Sequence, residues 1–264
     1  MVRRDGADGA AGAARSSVWE RPEPAARPAP SPLSRERIVA AAVELADADG
    51  LEAVSLRKVG AALDAGPMRL YRYLSTKEEL LDLMADAVHG EIAAPDPDAP
   101  DAGAPDADPG GTDGDWRAVL RASAHRTRRA ALRHPWFADL LGGRPGLGPN
   151  ALGNREAVLA ALYGAPGFLG IDAVLRAVGT VDDYLVGALR RETAELRAER
   201  DTGLDKDAWR RSEGPYLSRV LAAGNYPALA AAVRYGAHTD PATAFEAGLD
   251  VVLDGIAAGL APGG

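Results

Sequence analysis

Apolar side chains recur three and four positions apart along most of this chain, and the two-residue alternation of a strand is not found. Between Ser34 and Gly50, the residues Ile38, Ala41, Ala42, Leu45 and Ala46 fall on one stripe of a helix. Ser34 supplies an N-cap and Gly50 a stop. Ser55 opens a second helix with Leu56, Val59 and Leu63 inward. Asp64-Ala65-Gly66 makes a turn, and Pro67 takes the first position of a short third helix over 67–74. Thr76-Lys77-Glu78-Glu79 is a capping box with Thr76 and Glu79 as its reciprocal pair. The fourth helix it opens carries Leu80, Leu83, Met84, Ala87 and Val88 and reaches about residue 93.

The helical period resumes near residue 115. It predicts helices over about 115–132, 136–141, 154–163, 171–200, 205–223, 226–235 and 241–260. The long one places Ile171, Val174, Leu175, Val178, Leu185 and Leu189 on one side. The last presents Phe245, Leu249, Val252, Leu253 and Ile256. The fold class is all-α: a three-helix helix-turn-helix domain within 33–94 and a larger helical domain over 115–264. Two stretches lack the period. Residues 1–32 are rich in Ala, Pro, Gly and Arg and read as a disordered arm. Its arginines (Arg3, Arg4, Arg15, Arg21, Arg27) fit a solvated tail better than a minor-groove contact. Residues 95–114, rich in Asp, Pro and Gly, read as an acidic flexible linker.

Composition narrows the class. Hydrophobic residues make up 47% of the 264 and aromatics only 5%, which suits helix-on-helix packing. Cysteine is absent, so disulfides and thiolate metal sites are excluded. No apolar run approaches the roughly 18 residues of a membrane helix, and no signal core follows the N-terminus, so a cytoplasmic protein is expected. The net charge of −8 opposes nucleic-acid binding on its face. Much of the acid, however, sits in the linker, and the charge of the presenting face governs affinity for DNA.

That face lies in the helix-turn-helix. The short third helix keeps Leu70 and Leu74 inward and presents a hydrogen-bonding, cationic surface suited to a major groove. Ser55 can offer its hydroxyl and nearby amides to a phosphate. Arg57 and Lys58 follow it. Gly66, Pro67, Met68 and Arg69 lie at the leading end of the reading helix, Tyr71 and Tyr73 are placed to donate to phosphate, Arg72 reaches base or backbone, and Lys77 clamps a phosphate at the next helix start. No nucleophile–base set or phosphate loop appears, so an enzyme is not expected. His89, His125 and His134 lack metal-type spacing, and no metal or cofactor is expected.

Ser-Leu-Arg-Lys-Val-Gly (55–60), followed after a gap by Leu-Tyr-Arg-Tyr-Leu-x-x-Lys-Glu-Glu-Leu-Leu (70–81), resembles the DNA-binding domain of the TetR family of transcriptional regulators. The resemblance spans Ser34 to about Glu91. Looser matches to the tetracycline-repressor-like C-terminal domain occur at Trp116, Arg128-Arg129-Ala130, His134, Gly143-Arg144-Pro145 and Ala177-Val178-Gly179. The resemblance implies a homodimeric repressor released from a palindromic operator in double-stranded DNA by a small organic effector. It implies a dimer bundle made from about 170–200 and 240–262, and a ligand pocket to which Ser123 and Thr127 of the fifth helix turn. Trp136, Phe137, Leu140, Arg144, Tyr163, Asp183 and Tyr184 complete the candidate ligand set. By residue type alone, Trp136, Phe137 and Tyr163 read as core, and Asp182-Asp183-Tyr184 fits a polar pocket wall and an exposed turn equally. Leu140 stands where the tetracycline repressor has a metal-chelating histidine, which argues for a ligand bound without metal. The alternative is a small-molecule-binding helical protein or enzyme that does not touch DNA.

Overall fold

A computed structural model describes residues 17–24, 33–93, 115–144, 146–237 and 239–260. Helix α1 (Arg35–Asp49) starts where Ser34 Oγ accepts from the Arg37 amide at 3.2 Å, and it stops at Gly50, whose φ is +83°. A 3-10 turn (Leu51–Ala53) leads to α2 (Leu56–Ala62), capped by Ser55, and then to α3 (Pro67–Leu70) with proline at its start. The regular part of α3 is one turn long, shorter than the 67–74 expected, and its chain runs on through turns to Leu74. The α2–α3 turn takes its left-handed residue at Asp64 (φ +49°), while Gly66 is extended. The glycine the turn cannot replace is Gly60: a Cβ there would lie 2.6 Å from the Ala65 carbonyl oxygen, which its own carbonyl's bond to the Ala65 amide (2.8 Å) draws close.

Helix α4 (Lys77–Ala93) follows. Thr76 Oγ1 accepts from the Glu79 amide at 3.1 Å, as a capping box requires. The return bond goes one residue further back than expected, because Glu79 accepts from the Ser75 amide at 2.7 Å. Beyond the linker come α5 (Trp116–Arg133), α6 (Phe137–Leu140), α7 (Pro149–Leu162) and α8 (Ile171–Thr202), then α9 (Lys206–Ala222), α10 (Pro227–Tyr235) and α11 (Pro241–Leu260). No strand occurs among the described residues. α7 begins at Pro149, earlier than the expected 154, with proline in the first position of a helix.

α4 packs on α1 at one end and on α7 along its length, while α5 and α8 form the next layer and α11 covers α8. The basic character of α5 is used locally. Arg117 pairs with Asp254, Arg121 with Asp250 and Arg133 with Glu91. Arg128 makes a two-pronged pair with Glu192 of α8 at 2.9 and 2.6 Å, its guanidinium 5.1 Å from the centre of the Phe245 ring of α11. Three helices meet at that one side chain.

Three expectations fail here. The arm is not free throughout: Val18 is buried in the first core, Arg21 donates to Ser75 Oγ at 2.7 Å and pairs with Glu79, and Glu23 accepts from the Arg35 amide at 2.8 Å. A short apolar pair, Val18-Trp19, docks a segment whose composition otherwise leaves nothing to bury. The rest of the arm and the linker 95–114 lie outside the described residues. On α8, Ile171 and Leu175 are exposed, and Ala177, Val181 and Ala188 take inward places instead. Leu249 and Phe245, expected at a dimer face, are buried within the single chain.

A carboxylate cannot stay in the apolar place Val18 fills, so Val18→Asp gives up that burial. Val18→Asp is expected to lower unfolding free energy by about 1.5–3 kcal/mol, the worth of one buried valine-sized side chain. Urea titration of variant and wild type measures it.

Candidate DNA-reading face and effector cavity

The helix-turn-helix brings its predicted residues to one exposed surface. Arg57 and Lys58 of α2 and Gly66, Pro67, Met68, Arg69, Tyr71 and Arg72 around α3 are all exposed, Met68 at 77%. Arg57, Lys58, Arg69 and Arg72 make no ion pair among the described residues, so their charge is uncommitted. Ser55 Oγ accepts from the Lys58 amide at 3.2 Å and keeps its hydroxyl hydrogen to donate. Lys77 is half-buried at the head of α4. Tyr73 does not belong to this surface. It is 6% exposed, and its hydroxyl donates to the Leu33 carbonyl at 2.8 Å. It stands three residues after Leu70 and so shares that residue's inward face.

The larger domain holds a cavity of about 180 Å³. Its walls are His89 and Ile92 of α4, Leu120, Ser123 and Thr127 of α5, Gly146, then Ala151, Leu152, Asn154, Arg155 and Val158 of α7, and Val178, Val181, Asp182 and Leu185 of α8. Ser123 and Thr127 thus stand where expected. The Thr127 hydroxyl donates to the Ser123 carbonyl of its own helix at 3.0 Å, leaving its oxygen free to accept from a guest. Arg155 and Asp182 form a 2.7 Å pair joining α7 to α8, half-exposed on both sides and therefore of little worth to stability.

The other expected ligand residues lie elsewhere. Trp136 and Phe137 are buried behind the wall, Trp136 donating its ring N–H to Asp47 at 2.6 Å and Phe137 meeting the His89 ring edge-on at 5.4 Å. Leu140 packs half-buried against the core, and Arg144 is exposed beyond α6. Tyr163 ends α7 and points outward. Asp183 is exposed, and it is its neighbour Asp182 that reaches the cavity. Tyr184 faces α11, donating to the Phe245 carbonyl at 2.6 Å. Gly248 makes that approach possible, since a Cβ there would lie 2.5 Å from the hydroxyl oxygen. Asn154 and Arg155 are not among the residues the sequence suggests, His89 is considered there only as a metal ligand, and of Asp182-Asp183-Tyr184 it is Asp182 that lines the cavity. Proline in the first position of α7 was the signal for Asn154 and Arg155: a helix begun there puts Ala151, Asn154, Arg155 and Val158 at spacings of three and four on one side.

Two histidines face different surroundings. His134 is buried between domains, Nδ1 at 2.8 Å from Asp47 Oδ1 and Nε2 at 3.2 Å from Glu91 Oε2. His89 has a buried Nδ1 with no hydrogen-bond partner in the protein. Burial holds its pKa below the ordinary 6.5, with Arg155 adding to the effect and Asp86 opposing it. The folded state therefore binds fewer protons than the unfolded chain in the window from 6.5 down to the depressed value. The stability gained by keeping His89 neutral is whole above pH 6.5 and is lost as pH falls through that window. His89→Phe is expected to flatten this part of the stability profile, read as urea midpoints between about pH 5 and 7.5 relative to wild type.

Comparison with known proteins agrees with the geometry. Residues 38–84 match the family model for bacterial regulatory proteins of the tetR family, and residues 108–260 match the tetracyclin repressor-like C-terminal domain. The HTH-type transcriptional repressor DrrR1 of Streptomyces coeruleorubidus is 41% identical over 236 residues, which is 88% of this chain and 80% of that protein. The crystal structure of a possible TetR family transcriptional regulator from Streptomyces coelicolor A3(2) superposes with a TM-score of 0.62 at 30% identity, covering 85% of this chain and 98% of the other. ActR of Streptomyces coelicolor, solved in complex with actinorhodin, shares the fold with a TM-score of 0.67 at 24% identity over 87% of this chain and 97% of its own. No helix among the described residues is long and apolar enough to cross a membrane. The chain belongs to the TetR family: it is a helix-turn-helix transcriptional regulator and not an enzyme.

Proposed function

We propose that this regulator is a cytoplasmic repressor that sits on a palindromic operator as a homodimer and leaves it when a small organic molecule enters the α4–α5–α7–α8 cavity. One observation carries this reading. The uncommitted cations of the α2–α3 surface stand at the head of α4, and the cavity is built on the far end of that same helix. Residues 33–94 form the reading domain and 115–264 the effector and dimer domain. Ser55, Arg57, Lys58, Gly66, Pro67, Met68, Arg69, Tyr71, Arg72 and Lys77 meet the DNA, and Tyr73 supports them from behind.

The effector is mostly apolar. A cavity of about 150 Å³ holds a benzene, so 180 Å³ admits a one- or two-ring portion of a ligand. Ser123, Thr127, Asn154 and His89 orient it without metal. For the dimer, α11 offers the exposed stripe Ala244, Ala247, Val251, Gly255 and Ala258, which carries no charge and lets a second helix approach closely. The α9–α10 pair buries none of its residues in the single chain and leaves Trp209, Tyr216, Tyr226 and Tyr235 exposed, an apolar surface that a second copy would cover.

Two measurements test this. On a duplex that the wild-type chain selects from a random library, Arg69→Ala is expected to weaken binding by about 1–3 kcal/mol and relax the preference at one base pair. Lys77→Ala is expected to weaken all sequences alike and reduce the salt slope by about 1. Unchanged affinity in both variants removes the DNA-reading assignment. Val251→Glu, at a position 72% exposed in the single chain, is expected to give a folded monomer in sedimentation and to lose operator affinity. A variant that remains dimeric shows that α11 is not the interface.

A further inference from the structure

α7 starts without a cap of its own. Gly148 holds the cap position and has no side chain to offer, and Pro149 has no N–H. The Ala151 amide, one of the donors a helix start leaves over, reaches instead across to α4 and donates to Asp86 Oδ1 at 2.9 Å. Asn150 Nδ2 donates to Asp86 Oδ2 and to the Asp86 carbonyl, both at 3.1 Å, and Asn154 Nδ2 donates to the His89 carbonyl at 2.7 Å. Asp86 is 6% exposed. Its carboxylate occupies space that exists only because residue 148 is glycine, since a Cβ there would lie 2.2 Å from Asp86 Cγ. The backbone of Gly148 (φ −71°, ψ 154°) is one any residue adopts, so the glycine is required by the carboxylate and not by the turn.

We infer that Asp86 is the positioning residue through which the cavity governs the reading domain: α7 is capped by α4, so the two helices cannot shift independently. This rests on the effector reading of the cavity. α7 contributes a whole wall of that cavity, and α4 leads directly to the reading helix. A guest that displaces the first turn of α7 must either strip a buried carboxylate of its donors or carry Asp86 along. The first alternative leaves Asp86 buried and unsatisfied, so α4 follows. The ties of Asp47 to His134 and Trp136 and of Glu91 to Arg133 and His134 involve no residue of the cavity wall and serve to hold rather than to transmit.

A local cap separates coupling from mere stability. In Asp86→Gly, which removes Cβ, Cγ and Oδ1 together, the three atoms nearest a Cβ at residue 148 are gone, and Gly148→Ser can cap α7 from within. The structure requires Gly148→Ser to lower the melting temperature of the wild type, where it collides with Asp86, and to raise that of Asp86→Gly. A fall in both backgrounds overturns the trans-cap. Coupling is reciprocal, so operator DNA must be felt at α7 without any effector. In the full-length wild type, the selected duplex is expected to slow amide hydrogen exchange in the first turn of α7 by about fivefold or more, the lower end of such couplings. In Asp86→Gly/Gly148→Ser that turn stays protected, operator affinity stays near the wild-type value, and DNA no longer changes its exchange. DNA-dependent protection retained in the double variant, or absent from the wild type, overturns the inference. A wild type that selects no duplex refutes the proposed function instead, while the melting-temperature comparison still reads on the cap.

Discussion

One helix serves as a wall of two cores, and the rest of the molecule is arranged around that constraint. Leu80, Met84, Val88 and Ile92 of α4 are buried, the first against the reading domain and the later ones against the larger domain. At about 1.5–3 kcal/mol for each such side chain, pulling α4 away from either core costs well beyond the 1–3 kcal/mol that couples two sites in a ligand-responsive protein. A ligand therefore has too little energy to detach α4 and enough to tilt it. The Asp47 carboxylate, which accepts the Trp136 N–H and faces His134, holds α1 to the α5–α6 corner and makes the reading domain travel with the helix.

Polar side chains add specific joins to the apolar packing between helices, and at two of them a glycine makes the join possible. Arg128 with Glu192 fastens α5 to α8 beneath Phe245, Tyr184 is bonded to the backbone of α11 over Gly248, and Asp86 meets α7 over Gly148. Each is a hydrogen bond withdrawn from water, and at Gly248 and Gly148 the missing Cβ lets a side chain come up against the backbone of the neighbouring helix. The chain's net charge of −8 coexists with a reading surface that has its own free cations because the α5 arginines are spent on neighbouring carboxylates and those of α2 and α3 are not.

Helical periodicity and caps made the sequence legible up to the level of elements. Ser34 and Ser55 cap the helices they were expected to cap, and the helices from α5 to α11, apart from the early start of α7, fall near their predicted spans, because these signals are local. Tyr73 was within reach of the same logic: its spacing from Leu70 puts it inside, but its hydroxyl suggested an outward role. What the sequence did not disclose depends on contacts distant along the chain. Arg21 docks on residues more than fifty positions away, and Asp86 finds its partners about 65 positions later. The cavity wall was half legible: Ser123 and Thr127 were placed by resemblance, whereas Asn154, Arg155 and Asp182 depended on where α7 begins and on how α8 is rotated.

The alternation of roles around α3 has a consequence for how this kind of regulator diversifies. Leu70, Tyr73 and Leu74 hold the segment in place, and Met68, Arg69, Tyr71 and Arg72 touch nothing the fold requires. Under the proposed function, the address written on the outside is thus uncoupled from the scaffold that displays it. Descendants of such a chain can be re-addressed to new promoters by exchanging a few exposed side chains, while the buried ones, and the wiring that connects them to the effector domain, pass on unaltered.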